Sequence, residues 1–220
     1  MCGIVGIYLK NSKYELSLGS FLADMLNSME GRGPDSAGFA IYSKEIKNYY
    51  KYSICLNKLS ENDFGLRAKE YFDNHKIYKH SDHVVLETTE EPEKALTILE
   101  KNFAEFSIVG YGKSINIFKQ TGNPKDVVKN FQLSSFSGSH GIGHTRMATE
   151  SLVTTEGSHP YSTAEDECLG QAGSLSNSNH MRRILIKEGG KFKSDNDTEV
   201  AAGYISNKIF KGNDLETTLK

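Results

Sequence analysis

Hydrophobic residues recur along the chain with two different spacings, and each spacing predicts a different kind of element. Short apolar runs predict buried strands at residues 3–9, 37–42, 83–88, 106–111, 141–148 and 167–171. Apolar residues three or four positions apart predict helices at 18–29, 92–104, 124–131, 177–188 and 197–210. This mixture of strands and helices indicates an α+β fold.

Start and stop residues support several of the predicted helices. Pro92 occupies a permitted first-turn position. Asn177 is a candidate cap, and Gly189 marks the end of the same helix. Asn196 and Glu199 have the spacing of a capping box, which predicts the start of the last helix.

Composition excludes several classes of protein. The chain has 220 residues, a formal net charge of -2 and 25% charged residues, so no basic excess points to nucleic acid or an anionic membrane. No apolar run approaches the ~20 residues that span a bilayer. The first residues lack a basic region before their apolar stretch, so we predict no secretory signal. Three cysteines without a CxxC spacing favour neither a disulfide framework nor a zinc ribbon, and a reducing cytoplasm is expected.

The segment 44–137 differs from the rest of the chain. It is rich in Lys, Asn, Tyr and Glu and contains few sharp motifs. Its predicted strands and helices suggest a small α+β insertion within one domain spanning 1–220.

Cys2 is the first candidate for chemistry. Aminopeptidases remove Met1 when the second residue is small, and removal would leave a thiol and a free α-amine on Cys2. The reference pKa of such an amine is about 8, so the amine can activate its own side chain without a histidine. By position alone, a buried cysteine near the start of a strand is the favoured interpretation of Cys2, and the motifs that follow change this.

Six short motifs follow one another along the chain. They are MCGIVGIY at 1–8, GRGPDSAG at 31–38, GHTRMAT at 143–149, SHP at 158–160, AGSLSN at 172–177 and DNDTEV at 195–200. In this order they resemble the class II glutamine amidotransferases, which are of the N-terminal-nucleophile type, and in particular the stand-alone GlxB-like subunits related to the glutamate synthase large chain. Any one motif is weak, whereas six in order are specific. The resemblance implies a four-layer αββα sandwich that hydrolyses L-glutamine, with Cys2 as nucleophile.

The resemblance also implies a pocket for the glutamine zwitterion. Arg146 would grip the carboxylate, since a guanidinium fork binds a carboxylate bidentately. Asp197 would receive the α-ammonium, and Thr149 and His159 would line or close the pocket. Other interpretations stay open: a surface salt bridge for Arg146, a charge at a helix N-terminus for Asp197, and structural roles for Thr149 and His159.

Further residues are implied around the nucleophile. Arg32 would help to organise the catalytic centre, although the turn that contains it also has conformational reasons to exist. The backbone N–H of Gly173 would donate to the oxyanion. The family usually has His-Asn before this glycine, whereas Gln171 and Ala172 stand here. Losing one side-chain donor typically costs about 10²–10³ in kcat.

The chain length is a second departure from the family. In relatives, further strands follow the segment that matches 197–210, whereas this sequence ends at 220. We therefore expect a sandwich that lacks C-terminal strands, as in a fragment, a split gene product or a subunit completed by a partner.

Two main hypotheses follow. In the first, the chain is a glutaminase that delivers ammonia to a synthase partner, in a hetero- or homo-oligomer. This half-reaction needs no cofactor and no metal, and any flavin or iron–sulfur chemistry would belong to the partner. In the second, the chain is a glutamine-binding subunit without turnover, because Ala172 lacks the donor. A cysteine redox module is a third reading, disfavoured by the absence of CxxC.

Overall fold

A computed structural model describes residues 2–57, 59–148 and 152–219. Within those ranges the strands are β1 (Gly3–Tyr8), β2 (Ser36–Tyr42), β3 (Tyr50–Cys55), β4 (His75–His80), β5 (His83–Thr88), β6 (Ser107–Gly112), β7 (Ile115–Thr121), β8 (His140–Arg146), β9 (Tyr161–Ala164) and β10 (Glu167–Leu169). The helices are α1 (Leu18–Ser28), α2 (Glu61–Tyr71), α3 (Pro92–Asn102), α4 (Pro124–Asn130), α5 (Ser178–Lys187), α6 (Asp197–Phe210) and α7 (Leu215–Thr218).

Eight of these strands form two four-stranded antiparallel sheets. The first has the order β1-β8-β2-β7 and the second the order β4-β5-β3-β6. A small apolar cluster lies between them and includes Ala40, Val109 and Ile117. Successive residues of a strand point to opposite faces of its sheet, and both faces of the second sheet are covered. β3 and β5 are therefore buried along their whole length.

Helices cover the outer face of each sheet. Leu22 and Leu26 of α1 and Val127 of α4 pack on the first sheet. Phe64 of α2 and Leu99 of α3 pack on the second. The order of layers is therefore helix, sheet, sheet, helix, which confirms the predicted αββα sandwich of the N-terminal-nucleophile hydrolases.

Residues 44–137, which we predicted as an α+β insertion, contain every strand of the second sheet and also β7 of the first. They contain α2, α3 and α4 as well. This segment and the residues that flank it thus share one two-sheet core.

The N-terminal ends of α5 and α6 position the loop between β10 and α5. Asn196 caps α6, because its Oδ1 accepts the Thr198 N–H at 2.9 Å. Glu199 does not complete the expected capping box; its carboxylate accepts from the N–H groups of Lys193 and Ser194, each at 2.8 Å. Asn177 precedes α5 without a side-chain capping bond.

In the described residues, no helix combines the length and apolar character that crossing a membrane requires.

Candidate active site

Cys2 lies at the entrance to β1, opposite the end of β8. Gly3 pairs with Thr145, so one step further along the same register Cys2 faces Arg146. Thr145 points toward α1, since its hydroxyl donates to the Met29 carbonyl at 3.2 Å. Side chains alternate along a strand and antiparallel partners share a face. Cys2 and Arg146 therefore project from the other face of the first sheet, away from α1.

The turn around Arg32 packs against this corner. Arg32 Nε donates to the Cys2 backbone carbonyl at 3.3 Å. The half-buried Cys2 thiol lies 3.9 Å from the Met147 carbonyl oxygen. A Cβ on Gly33 would lie 2.6 Å from the Thr145 carbonyl oxygen, so only glycine allows the turn to approach β8 this closely. The structure thus brings Arg32 and Cys2 together.

Asp35 connects the same turn to the end of β8. Its N–H donates to the Arg146 carbonyl at 3.1 Å, and its Oδ2 accepts the Ala148 N–H at 2.8 Å. These bonds draw the chain out of the sheet after Arg146. They explain why β8 ends there rather than at residue 148, where the apolar pattern predicted its end.

Arg146 is buried, with 4% of its surface exposed. Its Nη1 donates to the Leu152 carbonyl at 3.2 Å, and a Cβ on Gly157 would come within 3.5 Å of the same nitrogen. The guanidinium is therefore oriented by the chain that follows β8. Thr149 lies outside the described residues.

Asp197 is the first residue of α6 and is half-buried. Its Oδ2 accepts the Leu175 N–H at 2.7 Å. This charge-assisted bond fastens the loop 170–177 to the helix N-terminus. Gly173 lies in that loop and is exposed. The structure thus connects Asp197 and Gly173 through one short loop.

His159 is enclosed rather than exposed at a pocket wall. The residue is 4% exposed, and its ring stacks on that of His144 with ring centroids 3.9 Å apart. Its Nε2 lies 2.8 Å from the Thr198 hydroxyl. Burial lowers the pKa of His159 to about 2 and that of His144 to about 4, so both rings are neutral at neutral pH.

A network that sequence reasoning missed holds the Gln171 position. His144 Nε2 donates to the Gln171 carbonyl at 2.7 Å. The Thr198 hydroxyl donates to Gln171 Oε1 at 3.1 Å. The motif GHTR contained His144 and DNDTEV contained Thr198, but neither motif indicated that both side chains converge on Gln171.

Lys119 fixes the segment before His159. It is buried, and its Nζ donates to the carbonyls of Ser158 at 2.8 Å and Glu156 at 3.2 Å. Burial lowers the pKa of Lys119 to about 8. Lys119 also lines a cavity of about 740 Å³ beside β6, β9 and α6. That cavity does not include Cys2, and the candidate chemistry lies elsewhere.

A second cluster of reactive side chains lies in the second sheet. Ligand atoms of Cys55, Asp82 and His83 come within 4.8 Å of one another, a spacing that could hold a metal ion. Hydrogen bonds account for much of this grouping: His83 Nδ1 lies 2.8 Å from Asp82 Oδ1, and Gln120 donates to Asp82 Oδ2 at 2.9 Å. Burial raises the pKa of the Cys55 thiol to about 11. Our expectation of a metal-free reaction concerns Cys2, which does not belong to this cluster.

The αββα sandwich is the fold of the N-terminal-nucleophile hydrolases, and Cys2 lies at the entrance to its first strand. No family model matches the chain. Glutamine amidotransferase-like protein GlxB of Rhizobium meliloti is 46% identical over 223 residues, covering 100% of this chain and 74% of the relative. The chain therefore belongs to the glutamine amidotransferase family, in its GlxB-like group.

More distant relatives are similar over different spans. A putative glutamine amidotransferase of Methanothermobacter thermautotrophicus is 28% identical across 100% of this chain and 76% of its own. A glutamine–fructose-6-phosphate aminotransferase of Methanococcus maripaludis is 34% identical over 53% of this chain and 21% of its own. The solved structure of glutamine phosphoribosylpyrophosphate amidotransferase from B. subtilis covers 93% of this chain and 28% of its own, at 18% identity and a TM-score of 0.48.

Proposed function

We propose that this chain hydrolyses L-glutamine to glutamate and ammonia through a glutamyl thioester on Cys2. The observation that carries the proposal is the shared face of Cys2 and Arg146, with Cys2 tied to Arg32 through its own carbonyl. A nucleophile and a cation for the substrate carboxylate thereby stand on one side of one sheet. The proposal applies to the processed protein, from which Met1 has been removed so that Cys2 carries a free α-amine.

The reaction has two halves. In the first, the Cys2 thiol passes its proton to the α-amine, and sulfur attacks the amide carbon of glutamine to form a tetrahedral oxyanion. The carbon–nitrogen bond then breaks, and the leaving nitrogen takes the proton from the ammonium to depart as ammonia. In the second half, water attacks the thioester, the carbon–sulfur bond breaks, and glutamate leaves with Cys2 restored.

Substrate recognition divides among the predicted site residues. Arg146 binds the α-carboxylate and Asp197 binds the α-ammonium, and the carboxylate of Asp197 also keeps the Leu175 loop in place. We assign Thr149 to this pocket from the resemblance alone, since it lies outside the described residues. His159 acts from beneath it, through its contact with the Thr198 hydroxyl. Gly173 offers its N–H to the oxyanion.

The released ammonia passes to a partner. We propose a cytoplasmic synthase subunit whose acceptor is a 2-oxo acid or a related small molecule, by analogy with glutamate synthase. Co-purification of this chain with such a subunit, and ammonia transfer without release to bulk solvent, would test the arrangement.

One experiment tests the hydrolysis itself. Intact mass first establishes that Met1 has been removed. Glutamate and ammonia release is then measured, together with labelling by the glutamine analogue 6-diazo-5-oxo-L-norleucine. We expect a single label on Cys2. Cys2→Ala should abolish both signals, whereas the matched control Cys168→Ala should keep them. Hydrolysis that persists in Cys2→Ala would refute the proposal.

A further inference from the structure

The position before Gly173 poses a chemical problem for the proposed reaction. Relatives are expected to place an asparagine there as an oxyanion donor, and Ala172 has no polar side chain. We propose that the side-chain amide of Gln171 supplies this missing donor, beside the Gly173 N–H. The inference rests on the proposed glutaminase function and adds a catalytic residue to it.

The first step of the argument is the location of Gln171. His144 and Arg146 are two residues apart on β8, so their side chains lie on the same face of the sheet as Cys2. His144 Nε2 donates to the Gln171 carbonyl at 2.7 Å. That bond holds the start of the loop above the face from which the nucleophile projects.

The second step is the orientation of the Gln171 amide. A neutral His159 carries one ring proton, and its Nδ1 is buried without a hydrogen-bond partner, which places the proton on Nε2. His159 then donates to the Thr198 hydroxyl at 2.8 Å, and Thr198 donates in turn to Gln171 Oε1 at 3.1 Å. The Thr198 hydroxyl also lies 3.4 Å from Asp197 Oδ1, and the shorter contact, to Gln171 Oε1, is the one that we assign to its single proton.

The third step is the direction in which the nitrogen points. With Oε1 turned toward Thr198, Gln171 Nε2 lies on the side of Gly173, 3.6 Å from where a Cβ on that glycine would stand. An amide nitrogen with two N–H groups thus lies next to the backbone that is expected to bind the oxyanion. Glutamine is one methylene longer than asparagine. The side chain at position 171 can therefore reach the place that an asparagine side chain at position 172 would occupy.

This arrangement gives His159, Thr198 and His144 a shared purpose. They are positioning residues, because His144 and Thr198 hold Gln171 directly and His159 holds Thr198. A preoriented donor stabilises developing charge without reorganisation during the reaction. Gln171 itself is half-buried, so its amide can be both fixed by the network and reached by a substrate.

The test compares Gln171→Leu and Gln171→Glu with the unaltered chain and with Ser174→Ala, an exposed change in the same loop. We expect each Gln171 variant to lower kcat by about 10²-fold, with KM for glutamine changed less than about threefold and a matching loss in the rate of labelling by 6-diazo-5-oxo-L-norleucine. Iodoacetamide, which needs no oxyanion donor from the loop, should label Cys2 at the unaltered rate. Ser174→Ala should keep full activity.

A rescue separates catalysis from a structural role. Ala172→Asn should raise kcat at least tenfold in the Gln171→Leu background. The same substitution should change the kcat of the otherwise unaltered chain much less. Full activity in Gln171→Leu, or a loss that Ala172→Asn does not restore, overturns the inference while leaving the glutaminase proposal standing. An unaltered chain that neither hydrolyses glutamine nor reacts with the analogue refutes the proposed function, and this inference with it.

Discussion

Arg32 donates a hydrogen bond from Nε to the backbone carbonyl of Cys2, at 3.3 Å, from an otherwise exposed side chain. The bond fixes the main chain that carries the thiol and the α-amine, rather than the thiol itself. Arg32→Met should therefore lower kcat while leaving KM for glutamine nearly unchanged. A hydrogen bond from a charged donor contributes about 1.5–3 kcal/mol, which corresponds to roughly a tenfold or larger loss in rate.

The matched control for this change is Arg183→Met, since Arg183 is exposed on α5. Steady-state glutaminase kinetics on both variants would decide the matter. A rise in KM at constant kcat for Arg32→Met would show that Arg32 contributes to substrate binding instead of the placement of Cys2.

Gly33 and Gly31 flank Arg32 but differ in surroundings. A Cβ on Gly33 would lie 2.5 Å from the Arg146 backbone nitrogen, whereas one on Gly31 would meet nothing within 4 Å. Gly33→Ala should force the turn away from β8 and destabilise the fold by about 1–3 kcal/mol. Gly31→Ala should leave stability unchanged within about 0.5 kcal/mol. Urea unfolding of the two variants measures the difference, and equal midpoints would contradict the close packing of this turn.

Part of the fold could be predicted from the pattern of apolar residues, and the failures have a physical cause. The stripe of α1 was clear, because the residues that it buries are mostly hydrophobic. β3 and β7 were missed because each buries a lysine: Lys51 is 4% exposed and Lys119 is 5% exposed. Lys51 Nζ donates a hydrogen bond to the Ser43 hydroxyl oxygen at 2.7 Å. Lysine is almost always exposed, so a sequence pattern predicts a solvent-facing position wherever a lysine stands, even one that is buried and hydrogen-bonded.

The candidate site shows a similar division. The resemblance implied that Cys2 and Arg146 belong to one site, and the register of β1 and β8, continued by one residue beyond Gly3 and Thr145, puts them on one face. The contact between Thr198 and Gln171 joins residues 27 positions apart, and Gln171 lies just before the motif AGSLSN rather than within any motif. No local spacing encodes that contact, because the packing of α6 against the loop creates it.

Asp197 offers a prediction about substrate binding. Asp197→Asn keeps an oxygen that can accept the Leu175 N–H but removes the negative charge that the substrate ammonium would meet. Hydrogen bonds between charged groups contribute about 1.5–3 kcal/mol, so glutamine affinity should fall by roughly 10- to 100-fold. Titration calorimetry on Cys2→Ala protein measures binding without turnover. Asp195→Asn, an exposed change two residues earlier, is the control; equal affinities in the two variants would exclude an ammonium site at Asp197.

The stacked pair His144 and His159 predicts a pH dependence of stability. Burial lowers the pKa of each ring from 6.5, to about 4 for His144 and about 2 for His159. Between pH 6.5 and 4 the unfolded chain therefore binds more protons at these positions than the folded chain does. The free energy of unfolding should fall as the pH falls through this window, by about 1.4 kcal/mol per pH unit for each fully protonating histidine. Below pH 4 only His159 should continue to contribute.

Variants isolate this contribution from that of other groups, because burial also lowers the pKa of His80 and His140. His159→Gln removes one titrating ring and can still donate to the Thr198 hydroxyl. Urea unfolding at pH 6.5, 5.5 and 4.5 should show a shallower loss of stability for His159→Gln than for the unaltered chain. His180→Gln, at an exposed position on α5, should keep the original slope. Parallel slopes in all three proteins would mean that folding does not lower the pKa of His159, and would contradict the burial of this ring in its neutral form.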